Sequence, residues 1–270
     1  MKHAMPERPV TPSLLTSLRV QGRVIGALLM REVITRFGRR NLGVLWLIGE
    51  PMIFTLGVTT MWTLAKLNHG SSIPITAFAI TGYSSVLVWR NTVGRCTFAI
   101  QQNFNLLYHR NVRVVDVLLT RILIEIVGAS GSFIILSLLF WGVGWIKLPI
   151  DLFEVLCGWA MLVWFGTALG LLIGAMTAYS ELVERLWHPI SYLIFPLSGA
   201  AFMVDWLPPA GREAVLWLPM VHGVEIVREG FFGNAIRTHY DVGYMGFCSL
   251  SMTLVGLLLA YDAGRRVEAE

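Results

Sequence analysis

Residues 27–54 read ALLMREVITRFGRRNLGVLWLIGEPMIF, and the fold is decided where this stretch changes character after Arg40. Up to that point it is rich in arginine, and from Val44 it continues as an apolar run to about Leu64. A helix of roughly 20 residues crosses a hydrocarbon core of about 30 Å. The stretch therefore predicts a cytoplasmic N-terminal segment, residues 1–43, that leads directly into a transmembrane domain, residues 44–270.

Apolar runs of this kind recur along the chain. Hydrophobic residues make up 55% of the sequence and charged residues 14%, whereas soluble domains carry about 25% charged residues. We expect an all-α integral membrane protein with six transmembrane helices. These helices are expected at about residues 44–64, 75–93, 115–143, 153–178, 188–206 and 242–260.

The segment from Leu14 to Arg40 is typical of an amphipathic helix. Leucine and isoleucine side chains fall near one face of this helix and arginine side chains on another. A helix of this kind usually lies in the headgroup layer of a membrane. The alternative is a helix that packs on a soluble partner domain.

The distribution of basic residues predicts the orientation. Lysine and arginine concentrate in the cytoplasmic loops of membrane proteins. With the N-terminus and the C-terminus in the cytoplasm, the short outer loops hold only Lys66 and Lys147. The outer loop before the sixth span also contains basic residues, which reduces the difference between the two sides in part. The inner side then holds the basic N-terminal helix together with Arg95, Arg110, Arg113, Arg185, Arg265 and Arg266.

Residues 207–240, between the fifth and sixth spans, are too apolar for a solvated loop and too charged for two more spans. Prolines can start short helices and cannot continue long ones. We expect two re-entrant helices that dip into the outer leaflet, where they form either a structural cap or an outer gate. The gate candidates are Trp206, Pro208, Trp217, Pro219 and Phe231.

The loop between the second and third spans, residues 101–111, reads QQNFNLLYHRN. On the cytoplasmic side it would be either a short helix that docks on a soluble partner or a solvated connector. The residues that would make the docking contact are Gln101, Gln102, Asn103, Leu106, His109, Arg110 and Asn111.

Motifs for catalysis are absent from the sequence. It contains no GxxxxGK[ST] nucleotide loop, no GxSxG and no HExxH. We expect no catalytic residue and no metal site in this chain. Glu181, Glu184 and His188 form the one loose acid–base cluster, and they leave an intramembrane transferase as an alternative.

Few ionisable residues fall inside the predicted spans. Glu50 precedes Pro51 near the inner face, where it would pair with a basic residue or cap a break in the helix. Arg121 and Glu125 lie four residues apart and can neutralise each other. No row of carboxylates crosses the membrane, so an ion-driven transporter is disfavoured.

Aromatic residues in three predicted spans fall roughly on stripes. Sugar rings present flat C–H faces that rest on aromatic rings, so such stripes would let a glycan slide through a wide canal. The alternative for each ring is core packing or a position in the interfacial belt. The canal candidates are Trp46, Phe54, Trp62, Tyr83, Trp89, Tyr192 and Phe195.

The stretch from Ala27 to Phe54 resembles the start of the first span in transmembrane subunits of ABC-2 type exporters. The resemblance covers the arginine-rich helix, the RFGRRN link, the Leu-Trp-Leu run and the Glu-Pro pair. It is most similar to the branch that exports capsular polysaccharide in Gram-negative bacteria. The layout of six spans, a loop after the second span and re-entrant helices before the sixth agrees with this family.

The resemblance implies a multi-pass protein of the bacterial inner membrane that forms a homodimer around a central canal. Each copy would bind a separate ABC ATPase subunit, which supplies ATP and Mg, and this chain would hold no cofactor. Lipid-linked acidic polysaccharide would pass from the cytoplasm to the periplasm, and periplasmic and outer-membrane export proteins would continue the route. Nucleic acid is not an expected partner, because no basic face recurs through the chain.

The resemblance also assigns roles to residues. Residues 101–111 would form the coupling helix inserted into the ATPase. The inner mouth, which would meet the phosphate of the polymer's lipid anchor, would be formed by Arg36, Arg39, Arg40 and Glu50. Related substrates stay open as alternatives: O-antigen, teichoic acid, or a smaller lipid or drug.

Overall fold

The computed structural model describes residues 14–37, 42–64, 73–107 and 112–267. The regular secondary structure in these ranges is entirely helical. Turns and loops connect the helices, and these ranges contain no strand. The α-helices are α1 (Leu14–Phe37), α2 (Leu42–Leu64), α3 (Ile75–Cys96), α4 (Ala99–Gln102), α5 (Phe104–Leu107), α6 (Val114–Gly142), α7 (Leu152–Met176), α8 (Glu181–Ile194), α9 (Pro209–Leu216), α10 (Pro219–Phe232) and α11 (Val242–Val267). Single 3₁₀ turns follow at Phe195–Leu197, Val204–Trp206 and Gly233–Ala235.

Within the described ranges, four helical segments are long and apolar enough to cross a membrane. They are Leu45–Leu64, Val114–Gly142, Leu152–Met176 and Val242–Arg266, in helices α2, α6, α7 and α11. The first three coincide with predicted spans to within a few residues, and the fourth starts at the predicted residue but continues six residues beyond the predicted end at residue 260. The prediction of an all-helical membrane protein is therefore confirmed at this level.

Helix α3 has the length of a span but a different composition. Its 22 residues include Arg90 and Arg95 and a series of threonines and serines. Most of the helix is buried because α2, α6, α7 and α10 pack around it. Its buried hydroxyl groups are compatible with this position because Thr81, Ser85 and Thr92 donate to backbone oxygens one turn earlier in the helix.

Residues 188–206, expected to form the fifth span, are not one continuous helix, because α8 has only 14 residues and ends at Ile194. Ser180 caps the start of the helix by accepting a hydrogen bond from the Leu182 backbone N–H at 3.2 Å, so the helix begins at Glu181. It ends at Ile194, and a turn containing Pro196 follows. Gly199 has a φ of 83°, a left-handed conformation that glycine adopts without strain, and the chain leaves the helix direction there.

Close helix packing depends on glycines of α7. A Cβ atom added at Gly158 would lie 2.7 Å from the Val227 backbone nitrogen of α10, and one at Gly166 would lie 3.0 Å from the Trp89 Cα of α3. Small residues let helix backbones approach in membrane proteins. The two glycines therefore allow α7 to hold α3 and α10 at backbone distance, while α11 covers another face of α7.

The segment 207–240 folds as two short helices, as the prolines predicted. Pro208 and Pro209 start α9 and Pro219 starts α10, where the missing N–H of proline costs no hydrogen bond. Nearly all of α10 is buried, chiefly against α7, and Gly233 ends it with a φ of 54°. This packing places α10 beside the first half of α7, at the end of the bundle opposite α1.

Helix α1 packs on α6 and α2. Gln21, Leu28 and Glu32 are partly buried on its protein-facing side, whereas Arg19 and Arg23 are exposed. Leu18 and Met30 are exposed as well, so the outer side of α1 is mixed, and its position in the headgroup layer stays a prediction. We call the two ends of the bundle the α1 end and the α10 end.

Candidate functional site

An open groove of about 490 Å³ lies between α2, α3 and α8, on the α1 half of the bundle. The groove contains charged, polar and aromatic side chains. The other exposed side chains of these helices are mainly apolar. The lining residues are Glu50 and Phe54 from α2, Tyr83, Leu87, Arg90, Asn91, Gly94 and Arg95 from α3, Phe98 from the following turn, and Trp187, His188, Ser191 and Tyr192 from α8.

One wall of the groove combines a cation with aromatic rings. The Arg90 guanidinium carbon lies 4.5 Å from the centre of the Tyr192 ring and 5.6 Å from that of Phe195. Tyr83 contacts Phe195 edge-on at 5.8 Å between ring centres. In the described ranges no carboxylate forms an ion pair with Arg90. The wall therefore presents a cation held by ring faces and available to an anionic ligand.

The α1 end of the groove is closed by an ion pair. Arg95 Nη2 lies 3.1 Å from Glu50 Oε1, and Arg95 Nε lies 3.5 Å from Glu125 Oε1. Arg95 thus joins α2 and α6 through α3. Glu50, which sequence placed at the inner mouth, does lie in the groove.

The other canal candidates divide into two groups. Trp46 and Phe54 are exposed on α2, and Tyr192 is exposed on α8. Trp89 has no exposed surface and packs edge-on against Phe165 of α7, so in this structure it belongs to the core and not to the groove. The burial of Trp89 follows from the position of α3 at the centre of the bundle.

Trp62 lies further towards the α10 end, in a row of stacked rings. Its ring is 6.1 Å from Phe78, and Phe78 is 5.2 Å from Trp206, a gate candidate. This row joins α2, α3 and the turn after α8. Sequence spacing did not indicate Phe78, because the residues of the row come from three separate segments.

Polar contacts at the α1 end connect α1, α4 and α6. Arg121 Nη2 lies 3.1 Å from Glu32 Oε1 of α1, and it donates to Gln102 Oε1 of α4 at 2.7 Å. Arg121 Nη1 donates to the Arg95 backbone oxygen at 3.3 Å. The sequence suggested Glu125 as the partner of Arg121, whereas in the structure Arg121 pairs with Glu32 and Glu125 pairs with Arg95.

The predicted coupling residues lie beside these contacts. Asn103 is buried and accepts a hydrogen bond from Arg31 of α1 at 3.0 Å, while Gln101 is exposed and Leu106 is partly buried. His109, Arg110 and Asn111 lie outside the described residues, as do Arg39, Arg40 and the side chain of Arg36. In the described part of the segment, residues 101–107, the chain forms the end of α4 and then α5, and docking of this segment on a partner stays a prediction.

A buried ion pair lies at the α10 end. Arg228 and Glu225 have no exposed surface, and their side chains lie 3.8 Å apart. Arg228 also donates to the backbone oxygens of Phe202 at 2.6 Å and Ala200 at 3.0 Å, and it lies 4.1 Å from the Phe78 ring centre. Glu225 and Arg228 lie three residues apart in an apolar segment, a spacing that indicates an ion pair within a helix. The sequence analysis did not identify this pair.

The remaining gate candidates differ in position. Phe231 is buried and Trp217 is exposed. Pro208 directly precedes α9, and Pro219 is the first residue of α10. The Tyr244 hydroxyl donates to the Trp217 backbone oxygen at 2.8 Å. These contacts attach the short helices to the start of α11.

A partly exposed charged cluster lies beside them. His239 Nε2 is 3.0 Å from Asp205 Oδ1, and Arg212 Nη2 is 3.3 Å from the same oxygen. The hydrogen bond with His239, together with the charges of the neighbouring arginines, holds the pKa of Asp205 below its ordinary value of 3.8.

The loose acid–base cluster does not assemble into a site. Glu181 pairs with Arg185 at 3.0 Å, whereas the His188 ring stacks near Phe98 at 5.4 Å. No hydrogen bond among the described residues joins Glu181, Glu184 and His188. Over the same ranges, no group of three His, Cys, Asp or Glu side chains is placed to hold a metal ion.

Comparison with known proteins gives a consistent picture. Residues 23–232 match the family described as ABC-2 type transporter. The chain is 42% identical over 258 residues to the capsule polysaccharide export inner-membrane protein CtrC of Neisseria meningitidis serogroup B, covering 96% of this chain and 97% of that protein. It is 40% identical over 254 residues to the capsule polysaccharide export inner-membrane protein BexB of Haemophilus influenzae, covering 94% and 96%. It is 24% identical over 244 residues to the polysialic acid transport protein KpsM of Escherichia coli, covering 90% and 95%.

Proposed function

This chain belongs to the ABC-2 type transporter family, and from that premise we propose that it is the membrane subunit of an ATP-driven exporter. Its substrate is a lipid-linked acidic capsular polysaccharide, which it moves from the cytoplasm to the periplasm. The names of the two relatives that share about two fifths of its residues support this substrate class. ATP and Mg bind to a separate ATPase subunit.

The proposed topology has six crossings of the inner membrane. Helices α2, α6, α7 and α11 supply four of them, and α3 supplies one inside the bundle. The sixth consists of α8 and the turn after it, residues 181–197, which is close to the shortest helical length that crosses a bilayer. Both termini lie in the cytoplasm, so the α1 end faces inward and α9 and α10 form a re-entrant cap at the periplasmic side.

The observation that carries the proposal is the charged groove between α2, α3 and α8. Glu50, Arg90 and Arg95 line an opening on the side of the bundle, and charged side chains are costly against lipid. A second copy of the chain, docked on the exposed faces of α2 and α8, turns two such grooves into one closed polar canal. Phe54 and Tyr192, both exposed in one copy, then line this canal.

The groove chemistry fits an acidic glycan. Aromatic rings offer surfaces for sugar C–H faces, and Arg90 supplies a cation that attracts carboxylates. Most of the other cationic charge in the groove is balanced, because Arg95 pairs with Glu50 and Glu125. A single available cation attracts a polyanion without holding it too tightly to move.

Coupling to the ATPase passes through the contacts at the α1 end. The ATPase binds the segment 101–111, and α4 bonds to Arg121 through Gln102 and to α1 through Asn103. Nucleotide binding moves the canal only to the extent that this segment fits one state of the ATPase better than another. Beyond the membrane, periplasmic and outer-membrane export proteins carry the polymer onward.

The test is polymer export by cells that carry Arg90→Gln, with Arg185→Gln as the matched control. Arg185 is an exposed arginine of α8 that pairs with Glu181 outside the groove. We expect Arg90→Gln to lower surface polymer on the order of ten-fold and to leave polymer in the cytoplasm. Unchanged export with Arg90→Gln at normal protein levels would contradict the proposed substrate path.

A further inference from the structure

A second cavity, of about 480 Å³, lies where α1, α5, α6 and α11 meet. Its polar lining is Gln21, Arg113, Tyr261 and Arg265, and Val112 and Ala260 belong to its apolar part. None of its lining residues belongs to α2, α3 or α8, so it shares no side chain with the groove. The function proposed for the groove does not account for this cavity.

Two arginines give the cavity a positive charge. Arg113 precedes α6 and Arg265 lies in the last turn of α11, and both are exposed. In the ranges that the structure describes, neither forms an ion pair with a carboxylate. The next residue, Arg266, is different, because its Nε lies 3.1 Å from Asp262 Oδ2 and its guanidinium covers the Tyr179 ring at 4.6 Å.

The nearby carboxylate is already engaged. Asp116 is buried, and one of its oxygens accepts a hydrogen bond from Gln21. The other accepts from the Arg113 backbone N–H at 3.0 Å. Val114 and Val115, whose backbone N–H groups open α6, line the cavity, and the start of a helix favours a bound anion.

We propose that this cavity binds the phosphate headgroup of an anionic phospholipid from the cytoplasmic leaflet. On the proposed topology, the start of α6 and the end of α11 lie at the inner membrane surface, level with α1. Basic pockets between helices at this level recognise anionic headgroups. The apolar part of the lining receives the glycerol and the first carbons of the acyl chains, which a free phosphate lacks.

Lipid binding by the full-length, delipidated protein tests this proposal. Native mass spectrometry in a neutral detergent counts bound molecules while phosphatidylglycerol or phosphatidylcholine is titrated, without nucleotide or polymer. We expect saturable binding of phosphatidylglycerol that is stronger than binding of phosphatidylcholine. Arg113→Gln and Arg265→Gln should each weaken it about five-fold, whereas Arg266→Gln should leave it unchanged.

The outcomes separate the alternatives. Arg265 is exposed near the end of α11, so its variant tests the site even if Arg113→Gln does not fold. Equal binding of both lipids, or an equal loss with Arg266→Gln, would overturn the proposal. Full displacement of phosphatidylglycerol by inorganic phosphate at equal concentration would assign the cavity to free phosphate instead of lipid. Since no polymer is present, none of these results depends on the export function.

Discussion

Arg121 of α6 and Glu32 of α1 form an ion pair, with 3.1 Å between Nη2 and Oε1, and the Arg121 side chain is 8% exposed. The same guanidinium bonds to Gln102 of α4, the helix that begins the predicted coupling segment. One side chain therefore contacts both the helix predicted to lie at the membrane surface and the loop expected to bind the ATPase. Arg121 thus provides a direct contact between that loop and α6.

The first prediction concerns the ion pair between Arg121 and Glu32. Glu32→Gln keeps the shape of the side chain and removes its charge, so α1 is held less firmly while the fold is retained. We expect polymer-stimulated ATP hydrolysis of the reconstituted complex to fall several-fold, with basal hydrolysis by the ATPase preserved. The matched control is Glu181→Gln, which removes a carboxylate from an exposed pair with Arg185, where little effect is expected. Equal stimulation in wild type and Glu32→Gln would refute the role of this contact.

A second prediction tests the close contact between α3 and the chain after α8. A Cβ atom added at Gly82 would lie 2.6 Å from Arg228 Nη2 and closer still to the Ala200 backbone oxygen. Overpacking of this kind costs about 1–3 kcal/mol, so Gly82→Ala should lower the melting temperature in detergent by several degrees. Gly57→Ala in α2 is the control, because nothing lies within 4 Å of the added atom there. The prediction fails if Gly82→Ala and Gly57→Ala have the same melting temperature.

The buried pair at the α10 end gives a third prediction. Arg228→Met leaves Glu225 buried without its cation, and breaking a buried pair costs about 3–5 kcal/mol. The double change Glu225→Gln with Arg228→Met removes both charges, so it should recover part of the loss. Thermal unfolding of the two variants beside wild type measures this difference. A double variant that is less stable than Arg228→Met alone would show that the charge of Glu225 is not what destabilises the single variant.

Much of the fold could be predicted because lipid imposes one requirement on every crossing helix. Long apolar runs predicted α2, α6 and α7 to within a few residues, and they predicted the start of α11 but not its end. The all-helical class follows from them, and prolines correctly predicted two short helices in the segment 207–240. The six-crossing arrangement and its orientation stay predictions.

The contacts of the site were less predictable, because they join residues far apart in the chain. Spacing along one helix suggested that Arg121 pairs with Glu125, but the folded chain also brings Glu32 of α1 to Arg121. Trp89 looked like a canal residue because it falls in a span, whereas the central position of α3 buries it. The sequence did not identify Arg90 as a site residue, because its ring contacts form only when α8 packs against α3.

The last prediction concerns acid sensitivity at the α10 end. The hydrogen bond with His239, with help from Arg212 and Arg237, lowers the pKa of Asp205 below 3.8. A lowered folded-state pKa means that the carboxylate stabilises the fold fully above that ordinary value and less as pH falls through the folded value. Asp205→Asn should therefore be slightly less stable than wild type at pH 7, by less than about 1 kcal/mol because solvent reaches the partly exposed cluster.

The difference between Asp205→Asn and wild type should shrink as the pH falls below about 4, because wild-type Asp205 then loses its charge as well. Melting temperatures in detergent over a series of pH values measure it. Glu213→Gln is the control, since Glu213 is an exposed carboxylate of α9 for which the described structure gives no ion pair. A difference that stays constant from pH 7 to pH 3, or one that appears equally with Glu213→Gln, would mean that the Asp205–His239 contact does not stabilise the charged carboxylate.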